Sequence, residues 1–348
     1  MRAIALARNS NLNQGESTVT HPILRIATFT ALVVAIVFSA ISALPRKVFA
    51  GTLSTSIIGM FPKDVGEFAY ADLKASRKYS WFPQLRDQLL PARFVQFEQF
   101  LASAGIDPNS QVEELAWGGI TSGKGEEVVG VALGQFDPSS SEARFKTQKL
   151  PMFEVQGYHL YAFGSGIAAN DILFLFLDSN TAAFGHRAAL EALISVRMGG
   201  QESLLTNSKM FPLIQEANGN GIIWAVLDQN YTHLAMQQLL PQASQFPQAS
   251  TIIGRMHAMT IYVSADDGVD AHFQAVCDSV NDANTLAAAM QAGVMYRRYQ
   301  VAQSNPDMAK TLDHVTVTPA GDRLKINAPV TQDELMSLIH TKAFASPI

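Results

Sequence analysis

RMHAMTIYVSADDGVDAHFQAVCD, residues 255–278, alternates apolar and polar side chains on either side of Asp266-Asp267-Gly268. A period of two marks strands with one buried face. The loop suits a type I turn closed by a glycine in the left-handed region, the three-residue hairpin with a bulge. Pairing Ala265 with Val269 gathers His257, Met259, Ile261, Val263, Ala271, Phe273, Ala275 and Cys277 on one face. The other face then carries Thr260, Tyr262, Ser264, Asp270, His272, Gln274 and Asp278. A slip of one residue would mix the two sets, so the alternation selects this register and predicts an antiparallel hairpin with Cys277 opposite His257.

Working outward, the same unit occurs earlier in the chain. LAWGGITS (115–122) and EEVVGVALGQF (126–136) flank Gly123-Lys124-Gly125. Before each hairpin stands a strand led by the same word. Met60-Phe61-Pro62 precedes GEFAYADL (66–73), and Met210-Phe211-Pro212 precedes GIIWAVLD (221–228). Each strand runs into a helical stretch ending in Gln88-Leu89-Leu90-Pro91 or Gln238-Leu239-Leu240-Pro241. The first copy adds a helix from Ala92 to Ala104. Phe94, Phe97, Leu101 and Ala104 form its buried stripe, with Pro91 at its start and Gly105 as its cap.

After each hairpin the spacing predicts a helix (139–148; 282–303), two strands (153–163 and 172–184; 314–318 and 323–328) and a last helix (186–198; 331–342). Thr331 with Glu334 forms a capping box for the final helix, whose apolar face is Leu335, Leu338 and Ile339. The fold class is therefore α+β. Residues 51–200 and 201–348 are two related halves of antiparallel sheet with helices packed on one side.

Ahead of this body, Ile26–Leu44 is uncharged and about as long as a helix that crosses a bilayer, roughly 20 residues. Arg2, Arg8 and Arg25 precede it and Pro45 ends it. Val48-Phe49-Ala50 then reads as a small-residue signal cleavage site, with Val48 and Ala50 as its key positions. A long charged start, a long apolar run and the intervening Arg46 and Lys47 argue instead for the alternative, an uncleaved anchor. Both versions make residues 1–50 a signal peptide or one N-terminal apolar helix, the protein's contact with the membrane. Both put the body in the periplasm or cell envelope.

The 348-residue chain has 25 basic and 30 acidic residues. Residues 1–50 hold five of the basic and one of the acidic, so the body carries 20 against 29, a net of −9. That balance, with no basic cluster, excludes a nucleic-acid surface. A lone cysteine, Cys277, excludes an intrachain disulfide. The eight histidines show neither H-x-x-x-H nor HExxH spacing, and no cysteine cluster accompanies them, so no metal and no cofactor is expected.

Gly105-Ile106-Asp107-Pro108, Asp178-Ser179-Asn180-Thr181 and Phe184-Gly185 resemble an exported bacterial family of unknown function. The resemblance implies a duplicated α+β body behind an N-terminal membrane segment. It brings no catalytic residues with it.

Candidate chemistry is sparse. A Cys–His pair can activate a thiolate, which makes Cys277 with His257 a thiol-site candidate. Their otherwise apolar face favours a neutral imidazole and a protonated thiol. Gly164-Ser165-Gly166 lacks the strand–turn–helix context of a nucleophile elbow and reads as a connection. The glycines from Trp117-Gly118-Gly119 to Gly130 and Gly134 open no helix, so they mark bulges or close backbone approach rather than a phosphate loop. Asp64, Glu67, Asp72, Asp87 and Glu98 read as a solvated acidic face. Arg297-Arg298 between Tyr296 and Tyr299 reads as a solvated helix face that could also meet an anion. Tyr79, Trp81, Phe82, Phe94, Phe97 and Phe100 put unusual apolar bulk into a short span. Phe94 and Phe97 serve the core, and Trp81 and Phe100 lie off the main stripe. Plain core packing is the favoured reading of the cluster, and a groove for an apolar ligand or a protein partner is the alternative. The functional expectation is non-catalytic binding or assembly. The alternative is an extracytoplasmic hydrolase with a site gathered from scattered residues.

Overall fold

The computed structural model describes residues 51–89, 92–103, 105–122, 125–168, 171–239, 251, 253–265 and 268–340. The apolar run Ile26–Leu44 and the cleavage positions Val48 and Ala50 lie outside them. No helix among the described residues is long and apolar enough to cross a membrane.

The strands are β1 (Glu67–Asp72), β2 (Val112–Ser122), β3 (Gly125–Gly134), β4 (Met152–Val155), β5 (Tyr158–Phe163), β6 (Ile172–Phe176) and β7 (Thr181–Gly185). They continue with β8 (Ile223–Leu227), β9 (Met256–Ala265), β10 (Gly268–Cys277), β11 (Thr316–Ala320) and β12 (Arg323–Thr331). All belong to one 12-stranded sheet in the order β11-β12-β10-β9-β8-β1-β2-β3-β7-β6-β5-β4. Each neighbouring pair is antiparallel. The sheet is continuous across the boundary at residues 200 and 201, because β1 pairs with β8 at its centre. Outward from that seam the order is β1-β2-β3-β7-β6 on one side and β8-β9-β10-β12-β11 on the other. Among the described residues, the β4-β5 hairpin extends the sheet beyond β6.

The hairpin of residues 255–278 pairs Ala265 with Val269, as the alternation requires. Its register holds as far as Val276 opposite Ala258 and then shifts, so that Cys277 faces Met256. The bulge turns His257 out to solvent, where its imidazole meets the Asp278 carboxylate. The pairing of Cys277 with His257 is thereby corrected. Strands expected at 153–163 and 172–184 are each broken into a hairpin. Gln156 and Gly157 both take positive φ, 50° and 86°, the backbone of a two-residue type I′ turn. The second break is an Asx turn, with the Asn180 amide donating to the Asp178 carboxylate at 2.8 Å.

Helices cover both faces of the sheet, not one. One face carries Ala69, Trp117, Ala225, Ile261 and Phe273, which pack against α3 (Phe82–Leu89), α9 (Gln229–Leu239), α10 (Val280–Val301) and α12 (Gln332–His340). Further along this face, Phe174 and Phe184 meet α4 (Ala92–Ser103) and α6 (Pro138–Thr147). The opposite face carries Phe68, Tyr70, Val131, Leu175 and Trp224. It is covered by α1 (Thr55–Ile58), α7 (Arg187–Arg197) and α8 (Met210–Ala217). Two-sided burial explains why β6 and β7 are buried at every position. Short helices α2 (Leu73–Ser76) and α5 (Pro108–Gln111) flank the first half, and α11 (Pro306–Leu312) follows α10.

Two caps follow the sequence closely. Gly105, at φ 79°, donates to the Ala102 carbonyl, and Ile106 donates to that of Leu101, which is the Schellman arrangement. At α12 the Thr331 amide donates to Glu334 at 3.2 Å, and the Glu334 amide donates back to Thr331 Oγ1 at 3.3 Å.

Candidate functional site

A cavity of about 550 Å³ opens between the sheet and the first-half helices. Its floor is the sheet face bearing Leu115 and Trp117 of β2, Val128 and Ala132 of β3, and Phe174 and Phe184 beyond them. Between Val128 and Ala132 stands Gly130, and the Phe184 ring lies across it. A Cβ on Gly130 would come within 2.2 Å of Phe184 Cζ. Short side chains on β3 leave the space above this floor to the Phe184 ring and the cavity. The roof is built from α2 to α5, through Leu73, Phe82, Phe97, Leu101 and Ile106. Phe97 is held by Phe163 at 5.7 Å and Phe184 at 6.2 Å between ring centroids. The volume falls within the roughly 300–1,000 Å³ of small-molecule sites, and the lining is mainly apolar, as in such sites.

The charged groups of the cavity are unequal. Arg86 of α3 pairs with Glu98 of α4, tying the two roof helices together, and reaches Asp87 at 3.3 Å. Arg77 also lines the cavity. Its Nη2 donates to the carbonyls of Pro108, at 3.2 Å, and Val112. Burial first, and then the neighbouring Arg86, pull this guanidinium below its ordinary value.

The other aromatic residues divide. Trp81 is buried in the core, stacked on Tyr79 at 5.4 Å, so its expected place off the main stripe is corrected. Phe100 is half-buried against Phe145. The side chain of Phe94 lies outside what the structure describes.

The acids do not form one solvated face. Glu67 is buried, Asp72 caps α2 through the Ala75 amide at 2.7 Å, and Glu98 serves Arg86. Near Glu67, the ring of Tyr231 lies over Gly119, where a Cβ would stand 2.8 Å from the Tyr231 hydroxyl. Glu126 belongs to this group. Its carboxyl oxygens are closed to solvent, and burial raises it above the usual carboxylate range against an opposing pull from Tyr231. Asp228 is raised by burial as well, against the pull of its hydrogen bonds to the Tyr231 and Asn230 amides. The Glu126 carboxyl, closed in this way, gives substrate no access. Neither acid lines the cavity.

Cys277 is buried, and burial first, followed by Asp282, Asp278 and Asp322, pushes its thiol up to about 11. With His257 turned away to Asp278, no imidazole among the described residues acts on this thiol. Ser165 donates to Asp171 at 2.7 Å, which fixes its loop. Arg298 donates to Asp313 at 3.0 Å, while Tyr296 and Tyr299 stand exposed. No group of three or more His, Cys, Asp or Glu able to hold a metal ion occurs among the described residues.

No family model matches the chain, and no curated protein matches it. Among solved structures, crystal form I of TP0453 is similar, with a TM-score of 0.47 and 10% identity, covering 84% of this chain and 99% of that one. Crystal form III of TP0453 gives 0.46 and 9%, covering 82% and 97%. Likeness at this level is loose, so function has to be read from the cavity itself.

Arg77 is the residue that sequence reasoning missed. It sits among Lys74, Lys78 and other polar residues of a short helix, and nothing in that pattern separates a guanidinium turned to the cavity from one turned to solvent.

Proposed function

We propose that this protein is a non-catalytic envelope protein that binds an apolar small molecule in the cavity between β2–β3 and the α3–α4 roof. The observation that carries this reading is the cavity's size and its largely aromatic and aliphatic lining. Export rests on the charged, apolar and small-residue succession of residues 1–50, which either is cleaved or anchors the body outside the cytoplasmic membrane. The two halves are related copies. In support, the strand order runs alike outward from the β1–β8 seam. The ligand site belongs to the first copy alone, because its roof helix α4 has no counterpart in the second half's predicted order.

Native mass spectrometry of the full chain released from its own membranes tests the binding role. The expected spectrum shows a retained adduct of a few hundred daltons, lost when Ala132→Trp fills the floor. A spectrum without adduct, from protein that still gives a compact charge-state distribution, overturns it. A reporter fused after Ile348 tests export, with activity expected only on the far side of the cytoplasmic membrane.

A further inference from the structure

Resting on the apolar-ligand reading, we propose that the cavity selects a long-chain carboxylate, whose head group is gripped by Arg77 while its chain lies on the floor between Trp117 and Phe184. The argument is one of uncommitted charge. A guanidinium has five N–H donors. Only Nη2 of Arg77 finds acceptors, and both are neutral carbonyls. Its Nε and Nη1 donors have no hydrogen-bond partner, and no carboxylate pairs with it, among the described residues.

The acids whose fields reach Arg77 are occupied elsewhere. Asp107 accepts from the Asn109 amide at 3.0 Å and the Ser110 hydroxyl at 2.7 Å. Glu113 accepts from Lys74 at 2.9 Å. Asp72 is spent on the Ala75 amide. Arg86, the other cation lining the cavity among the described residues, is already matched by Glu98 and Asp87.

Among the described residues lining the cavity, Arg77 is the cation without a carboxylate partner, and set against an apolar wall it suits an amphiphile with one negative charge, met by a charge-assisted bond from Nε or Nη1. A phosphate monoester carries about −1.5 to −2 at neutral pH and would ask for a second free cation. The carboxylate is therefore the favoured head. Desolvation strengthens the case, since a half-buried guanidinium without a counter-ion gains most from acquiring one.

The test is photolabelling of the full chain in a neutral detergent, with a diazirine-bearing sixteen-carbon fatty acid, its methyl ester and the matching alkyl phosphate. The readout is the share of crosslinks on the peptides bearing Phe97, Leu101 and Trp117, relative to the rest of the chain, which cancels differences in micelle partition. The acid should exceed the ester by about tenfold or more in that share, the factor expected for one charged hydrogen-bonded pair. Arg77→Gln should bring the acid down to the ester's level without changing the ester, and Arg77→Lys should keep part of the preference. Unchanged ester labelling reports that the variant cavity is intact. Equal labelling by acid and ester in the natural sequence overturns the head-group assignment and leaves apolar binding standing. A phosphate that outcompetes the acid overturns the carboxylate choice. Absence of cavity labelling by all three overturns both readings.

Discussion

Asp72 and Asp228 occupy matching stations on the two central strands. The Asp72 amide donates to the Ile222 carbonyl and the Asp228 amide to the Gly66 carbonyl, both at 2.7 Å. The same sequence offset separates Asp72 from Asp228 and Gly66 from Ile222, and Ala69 faces Ala225 between them. Each aspartate then caps the helix that follows its strand, Asp72 through the Ala75 amide and Asp228 through the Tyr231 amide at 2.9 Å. Exchanged bonds of this kind close the β1–β8 ladder at both ends.

Loss of a cap acceptor costs about 0.5–2 kcal/mol. Asp72→Ala should fall within that range. Asp228→Asn should behave differently, because it keeps an acceptor for Tyr231 and removes a charge that burial disfavours. Its expected effect at neutral pH is no loss of stability or a gain. Urea titrations of both variants check the contrast, and a gain for Asp72→Ala would mean that the two stations are not alike.

Gly130 should be intolerant of a side chain. Its Cβ would stand 2.2 Å from the Phe184 ring, so that ring would have to shift from its place on the cavity floor. Gly130→Ala is expected to destabilise by about 1–3 kcal/mol, the usual cost of overpacking. The double variant with Phe184→Leu should recover part of that loss, since the smaller side chain yields the contact. Independent, additive losses in a double-mutant cycle would count against the contact.

The alternation of 255–278 carried enough information to set the register of eight successive pairs, because one buried face penalises a slip at every position. It could not reveal the bulge at His257. A bulge near a strand end costs the pattern a single residue, and an imidazole reads as polar or apolar with equal ease. The expectation of one covered face failed for a reason visible in ILFLF (172–176) and TAAFG (181–185). These strands have no polar side, which is the mark of burial from both directions. The cavity was legible only as surplus aromatic residues. Whether Phe82 and Phe97 fill a core or line a void depends on how low the β3 floor lies, and that depends on Gly130 meeting Phe184 from a strand more than fifty residues away.

Glu126 makes a pH prediction whose sign is fixed by its environment. Burial raises its carboxyl in the folded state above the unfolded value, so the folded protein holds the proton more tightly. Stability from this group is then present at low pH and is lost as pH rises through the usual carboxylate range to the raised folded value. Glu126→Gln keeps the shape and removes the titration. Its melting temperature should exceed that of the natural sequence at pH 7, and the difference should shrink as pH falls toward 4. A constant difference across that range would show that Glu126 is solvated after all.

Cys277 gives the sharpest check on the bulge. Its thiol, pushed up to about 11, is almost wholly protonated at pH 7 and closed to reagents. Alkylation should therefore wait for unfolding, and its rate should follow denaturant concentration as global unfolding does. His257→Ala should leave that rate unchanged, because the bulge has turned the imidazole to Asp278 on the solvent side. The folded thiol value lies above the unfolded one, so stability from Cys277 falls as pH climbs from about 9 to about 11, and Cys277→Ala should flatten that alkaline loss. At neutral pH the same variant removes only a sulfur-sized volume beside Ala275 and should cost little. Fast labelling at pH 7 that His257→Ala suppresses would put the imidazole back beside the thiol and remove the bulge from the register.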